Sequence, residues 1–462
     1  MKTPLDPSRP LILPLAILAA TTAGCRDAPE PEPVPEPAVT HASSGAFPVG
    51  ESIALTITRG LPEHGTEHGI DLLYVDPDSP HFGTFLQRFT DLPYEGGEPP
   101  HHLYYSPTGR LYAAGLDPRC SLMLVDLRLE LGKPVIEGVT CIPTHGHVVG
   151  EDILWRTVGG RELMYVTFMG GKGTGDMLGH GSVVAFDAVT HEIVAEIVDP
   201  DDPDDPDDTF IRYPHGITAL GDTMIVSSTI VPTLDISSPR AAIGDTISVI
   251  DMVRHEVVET RVVDVSPKPE GELPSSPVEV LFLRPAIHPD LDPGVLVNTM
   301  FGGDIWYATY DAEREAPLGE FSRIYTGARE GTGVPLEFYA YDQKLYVSHG
   351  HPGVVKQYRL DRLPALEPAG PDFHADPGAH HLVFFETKAG RALMASQNNL
   401  LDLRDTLGMQ LSAHTLTVHD LETGERVATV DFRETYGLGL ANIVGALDSE
   451  GKIGEEWFTH HH

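Results

Sequence analysis

Histidine recurs in this chain at positions that a folding pattern brings into register. A small residue or proline, then a polar residue, then an apolar run appears as PPHHLYYS at His101-His102, PTHGHVVG at His145 and His147, and YPHGITAL at His215. It returns as SPVEVLFL at Glu279, VPLEFYAY at Glu337, GAHHLVFF at His380-His381 and LANIVGAL at Asn442. Neutral imidazole offers a lone pair and suits copper, zinc and iron. A ring of His102, His147, His215, Glu279, Glu337, His381 and Asn442, flanked by His101, His145 and His380, would suit a transition metal. His101, His102, His147, His215 and His381 are the candidate ligands. Glu279 and Glu337 are the candidate catalytic carboxyls, as acid and base. The competing reading is polar side chains that hydrogen-bond channel water.

Such a ring requires elements that repeat. Each of the first six starts is followed by a second strand: RLYAAGL, ELMYVTF, TMIVSST, GVLVNTM, KLYVSHG and RALMASQ. A third strand ends near Asp, and a turn leads to a fourth, with DAVTHEIVAEI, DMVRHEVVETRVV and DLETGERVATVDF close to copies of one another. Starts lie about 44 to 68 residues apart. Seven four-stranded units predict an all-β, seven-bladed β-propeller over 50–462, each innermost strand lining the central channel. The seventh start has only about twenty residues after it. Strands from 70–90 must therefore complete its blade, so that both chain ends close the ring. A two-sheet sandwich does not account for seven similar units.

Other motifs carry less chemistry. There is no GxSxG, HExxH or CxxC. His191-Glu192 and His255-Glu256 fall in hairpin turns and read as surface. GGKGTG (170–175) lacks the Lys-Ser or Lys-Thr ending of a phosphate loop. His349 and His351, in SHGHPG, read as loop residues flanking a pocket. The acidic run DDPDDPDD (201–208) lacks the Gly and terminal Glu of an EF-hand and reads as a solvated loop. The terminal His460-His461-His462 reads as a tail.

Sixty-eight acidic residues stand against 31 basic ones, a formal charge of −37. That excludes nucleic acid, whose phosphates require Lys/Arg patches, and anionic lipid surfaces. The first 25 residues read as a signal peptide. Lys2 and Arg9 precede a short apolar stretch, and Ala23-Gly24 stands directly before Cys25 as in a bacterial lipobox, making Cys25 the lipidation site. Residues 26–49, with proline alternating with Glu and Val, form a disordered tether. An exported, periplasmic or outer-membrane-anchored lipoprotein follows, touching the membrane through its lipid alone. In an oxidising compartment Cys120 and Cys141 can pair, because a hairpin turning near 130–131 sets them opposite each other. Two separate thiols are the alternative.

In their order and spacing these segments resemble the selenium-binding protein/methanethiol oxidase family. The resemblance spans roughly residues 70–458. It rests on His101-His102, THGH with His147, the GGKGTG run, VVAFDAVTHEIV, SVIDMVRHEVVET followed by PVEVLFL, LYVSHGHPGVVKQYRL and Trp457. It implies a seven-bladed propeller. It implies also a copper-dependent oxidoreductase that converts methanethiol, O₂ and water to formaldehyde, hydrogen sulfide and hydrogen peroxide, its channel histidines mapping to His101, His102 and His147. Three departures stand out. Leu103-Tyr104-Tyr105 occupies the place of the family's selenium-linked Cys segment. Asn442-Ile443 stands where the family has His-Glu, and His215 and His381 are additional imidazoles. A small thiol is thus the expected substrate, and a non-catalytic propeller that binds a metal or a partner is the alternative.

Overall fold

The computed structural model describes residues 51–447 apart from 96, 131, 171–180, 198–212, 230–243, 267–274, 285–286, 288–290, 315 and 404–408. The expected signal peptide with Cys25, the expected tether, most of GGKGTG, the acidic run 201–208, Trp457 and the terminal histidines lie outside these residues. No described helix is long and apolar enough to cross a membrane.

The described residues form seven four-stranded antiparallel sheets. Six are consecutive in sequence, each starting with its innermost strand: Pro100–Tyr105, Val148–Val158, Pro214–Leu220, Pro277–Leu283, Gly333–Tyr341 and Ala379–Glu386. They are blades 1 to 6. The seventh is composite. Its innermost strand is Leu438–Leu447, and its other three are Ile53–Gly60, Gly69–Tyr74 and Phe85–Phe89. The fold is thus the expected all-β, seven-bladed propeller closed by both ends of the chain. The strand at Ile53–Gly60 adds to those expected over 70–90, and it is the one that pairs with the C-terminal strand.

Apolar residues fill the spaces between neighbouring blades. Leu55, Ile70 and Leu72 of blade 7 pack with Leu103, Leu111 and Met123 of blade 1. Tyr112 and Leu122 of blade 1 pack with Trp155, Met164 and Phe186 of blade 2. Blade-on-blade burial of this kind is what gives each sheet a dry face on both sides.

The inner strands share an irregularity that decides where their polar residues go. In blade 1 Pro100 pairs with Gly115 but His102 with Ala114, so one residue of the inner strand is extra. One extra residue occurs at the same place in every other blade: within Gly150–Ile153, Pro214–Ile217, Pro277–Val280, Pro335–Glu337, Ala379–Leu382 and Leu440–Asn442. A bulge bends its strand and re-aims its side chains. In blades 2 to 6 the residue just before this segment takes a positive φ: Val149 at 61°, Tyr213 at 49°, Ser276 at 52°, Val334 at 53° and Gly378 at 91°. Four of the five carry a Cβ, and for Val that conformation is strained.

Cys120 and Cys141 form a disulfide with their Cα atoms 5.5 Å apart. The hairpin between Leu122–Glu130 and Lys133–Cys141 brings them together, Cys141 pairing with Met123. SHGHPG is not a loop. His349 and His351 belong to the strand Lys344–His351, which runs straight into a tight turn because His349 pairs with Val354. His349 is buried among Tyr325 and its neighbours, and His351 is exposed.

Candidate metal centre

Each bulge places two residues of the innermost strand side by side at one register position. Read by register, the pairs are His101-His102, Glu151-Asp152, His215-Gly216, Val278-Glu279, Leu336-Glu337, His380-His381 and Ala441-Asn442. Three blades give imidazole or carboxylate at one of the two positions and three more give it at both, so six of the seven blades contribute to the ring. In blade 2 its members are Glu151 and Asp152, not His147.

His147 is the correction. It immediately precedes the inner strand of blade 2 and stands four residues before Glu151, on the segment that leads into the bulge. There its Nδ1 lies 2.7 Å from Ser182 Oγ, its Nε2 lies 3.6 Å from Glu196 Oε1, and its ring packs on Phe168. These partners belong to blade 2, and His147 is not among the side chains whose potential ligand atoms converge. His145 sits in an exposed turn at φ 52°. The Pro-Thr-His-Gly-His segment imitates a strand start, whereas Val149 carries the positive φ that the other blades place before theirs.

The remaining residues converge from six blades. The His101 and His102 rings stack with centroids 4.2 Å apart, and those of His380 and His381 stack at 3.8 Å. His102 meets His381 edge-on at 4.9 Å and His215 at 5.7 Å. Carboxylates stand between the imidazoles. Glu337 Oε1 is 3.0 Å from His380 Nε2, and Glu279 Oε1 is 3.1 Å from His215 Nδ1. Glu151 Oε2 is 3.6 Å from His101 Nε2 and 3.9 Å from His215 Nε2. Tyr104 donates its hydroxyl to Asp152, which also lies 3.2 Å from His102 Nδ1. Potential ligand atoms fall within 4.8 Å of one another in three groups: His102, His380 and His381; His101, His102 and Glu151; Asp152, His215 and Glu279.

Burial sets the electrostatics. Glu151 and Glu279 are pushed well above the usual carboxylate range, first by loss of water and then by their negative neighbours. For Glu279 those neighbours are Asp152, Glu337 and Glu151. Burial and the adjacent imidazoles hold His101 well below the usual histidine range, so it is neutral and its lone pair is available. Desolvation, followed by the charge and hydrogen bond of Asp152, raises the Tyr104 hydroxyl, which stays protonated.

The donor set fits a transition-metal ion. His380 places one nitrogen on Glu337, while its buried Nδ1 has no hydrogen-bond partner. A carboxylate that takes one ring N–H and leaves the other nitrogen bare is the arrangement that orients metal-ligating histidines. Asn442 reaches the same ring from blade 7 with an amide, a poorer ligand than imidazole.

A buried histidine and carboxylate cluster at the channel of a seven-bladed propeller is therefore what fold and site define together. No known family profile matches this chain, and no curated protein matches it. Among solved structures, a hypothetical selenium-binding protein from Sulfolobus tokodaii is similar, with a TM-score of 0.61 at 14% identity over 93% of this chain and 98% of that one. Its likeness establishes the propeller fold. Apo AztD from Citrobacter koseri overlaps loosely, with a TM-score of 0.44 at 10% identity over 86% of this chain and 98% of that one. Hydrazine synthase from Kuenenia stuttgartiensis does so too, at 0.41 and 16% over 76% and 90%.

Proposed function

We propose that this protein binds copper at His102, His380 and His381 and uses it to oxidise a small thiol with O₂, in the manner of a methanethiol oxidase. The convergence of these three imidazoles, from blades nearly 280 residues apart in sequence, carries the reading. When bound, copper supplies one-electron redox chemistry, which no side chain of the cluster provides. The chain's own residues hold the ligands and the protons. Glu337 takes the N–H of His380 and fixes the ring's direction. Asp152 accepts from Tyr104 and stands beside His102, so that the imidazole cannot rotate away without breaking that contact. Glu279, which burial holds well above the usual carboxylate range, stands 3.1 Å from His215 Nδ1 as the proton-handling carboxyl.

The test is copper loading of purified protein followed by dialysis and metal analysis. Wild type should retain stoichiometric copper, and His381→Ala should lose at least 90% of it with the melting temperature little changed. Channel side chains contribute little apolar burial, so the fold should persist. A wild type that retains no copper would overturn the proposal. Asn442 favours a second reading, a metal-binding platform without catalysis, because blade 7 adds no imidazole. Copper retention without thiol-dependent O₂ consumption would decide for it.

We place this activity outside the cytoplasm, on the strength of Ala23-Gly24-Cys25 and the Pro/Glu tether after it. Cys25→Ala should move the protein out of the detergent phase on Triton X-114 partitioning. Unchanged partitioning would end the lipoprotein reading.

A further inference from the structure

We infer that the cluster holds two cations, and that the second is held by Asp152, His215 and Glu279 on the side of the channel built by blades 2, 3 and 4. The inference rests on the metal-binding reading above and deepens it. It moves Glu279 from handling protons to ligating an ion, and leaves Glu337 as the carboxyl beside the copper histidines.

Two of the three candidate groups are disjoint. His102, His380 and His381 come from blades 1 and 6, whereas Asp152, His215 and Glu279 come from blades 2, 3 and 4, and no residue is shared. One ion cannot use both sets as separate, complete triads. The two sets also differ in chemistry. Three imidazoles suit copper, while two carboxylates with one imidazole form a harder set that suits zinc or manganese.

Glu151 is the independent observation. It is 2% exposed, and its Oε2 has no hydrogen-bond partner. That atom lies 4.0 Å from His102 Nδ1 on one side and 3.9 Å from His215 Nε2 on the other. A buried carboxylate oxygen between two donor sets, bonded to neither, is where a bridging ligand belongs. Charge points the same way. Glu151, Asp152, Glu279 and Glu337 are all buried, and each stands within ion-pair distance of a histidine. Burial opposes the ionised form of such carboxyls, and a second cation beside them would offset that cost. The two sets are tied by the contact of His102 Nδ1 with Asp152 Oδ1 at 3.2 Å, so occupancy of one position steadies the other.

The experiment loads the full chain with copper and zinc salts, removes loosely bound metal by dialysis, and counts both elements per chain. Wild type should carry two ions. Glu279→Gln, close in size and unable to ligate as an anion, should carry one, and that one should be copper. His381→Ala should carry one, and that one should be zinc. His215→Gln serves as a second variant should Glu279→Gln lose the wild-type melting profile. A wild type with a single ion that His381→Ala abolishes and Glu279→Gln retains would overturn the second position and leave the copper site standing. A single ion lost in Glu279→Gln but kept in His381→Ala would do the reverse, upholding the Asp152, His215 and Glu279 position and removing the copper reading. No ion at all would remove both.

Discussion

Glu337 and His380 show what one hydrogen bond can determine. With Nε2 engaged at 3.0 Å, the tautomer that leaves Nδ1 as the lone pair is favoured. Glu337→Gln preserves volume but can offer either an amide N–H or a carbonyl to the ring, so the preference is lost. Copper affinity should fall about 10–100-fold, as for other orienting carboxylates. A chelator-competition titration reads that change, and an unaltered affinity would remove Glu337 from this role. Much of the ring was legible at this scale, because Pro or a small residue precedes His102, His215, Glu279, Glu337 and His381. Glu151 and Asp152 were not. A Gly-Glu-Asp triplet beginning three residues after Pro-Thr-His-Gly-His carries a weaker pattern than the decoy before it, and only strand pairing reveals the bulge. Tyr104 was noted as a departure from a family segment, but its bond to Asp152 depends on a residue 48 positions away and leaves no local trace.

At the scale of elements, the outer hairpins do more than face solvent. His191, in the turn of blade 2, places Nε2 3.0 Å from the buried Tyr112 hydroxyl of blade 1. One blade on, His255 stands 3.5 Å from the hydroxyl of Tyr165. Both histidines take a positive φ, 59° and 55°, to reach back across the gap. The near-identical hairpin sequences thus encode a repeated latch between blades, while the glutamates beside the histidines are exposed, as the surface reading had it. His191→Ala should destabilise the protein by about 1 kcal/mol, the usual value of such a bond. The effect depends on pH. Burial holds His191 below the ordinary histidine value. Below about pH 6.5 the unfolded chain therefore binds a proton that the folded latch resists, and the latch's contribution, complete above that pH, is lost as pH falls. Thermal melts of wild type and His191→Ala should differ most at pH 7.5 and converge towards pH 5. A difference that is constant with pH would mean that the imidazole's protonation plays no part.

Across the whole molecule, the site exists only because the ring closes. Residues from 101 to 381 meet at one axis, yet none of the six blades that supply them contacts all the others. Their relative positions follow from each blade being wedged between two neighbours, and the last wedge is blade 7. That blade is joined by Ile53–Gly60 pairing with Leu438–Leu447, from Ile53 with Leu447 to Gly60 with Leu438. The pairing was legible in outline, since a seventh start with too little chain after it can be completed only from the N-terminus. The strand that makes the joint was missed because Ile53–Gly60 precedes the repeat and is buried almost throughout, so it shows no polar alternation. A chain ending at Gly437 retains every candidate metal ligand and loses the innermost strand of blade 7. Ile53–Gly60 then becomes an open edge, available to pair with another molecule. The truncated protein should lose the single cooperative melting transition, elute from size exclusion as larger species, and fail to retain copper, although none of His102, His380 and His381 has been touched. Retention of the wild-type melt and of copper would show that the six-blade arc holds its curvature unaided, and that the two chain ends are joined for some purpose other than the site.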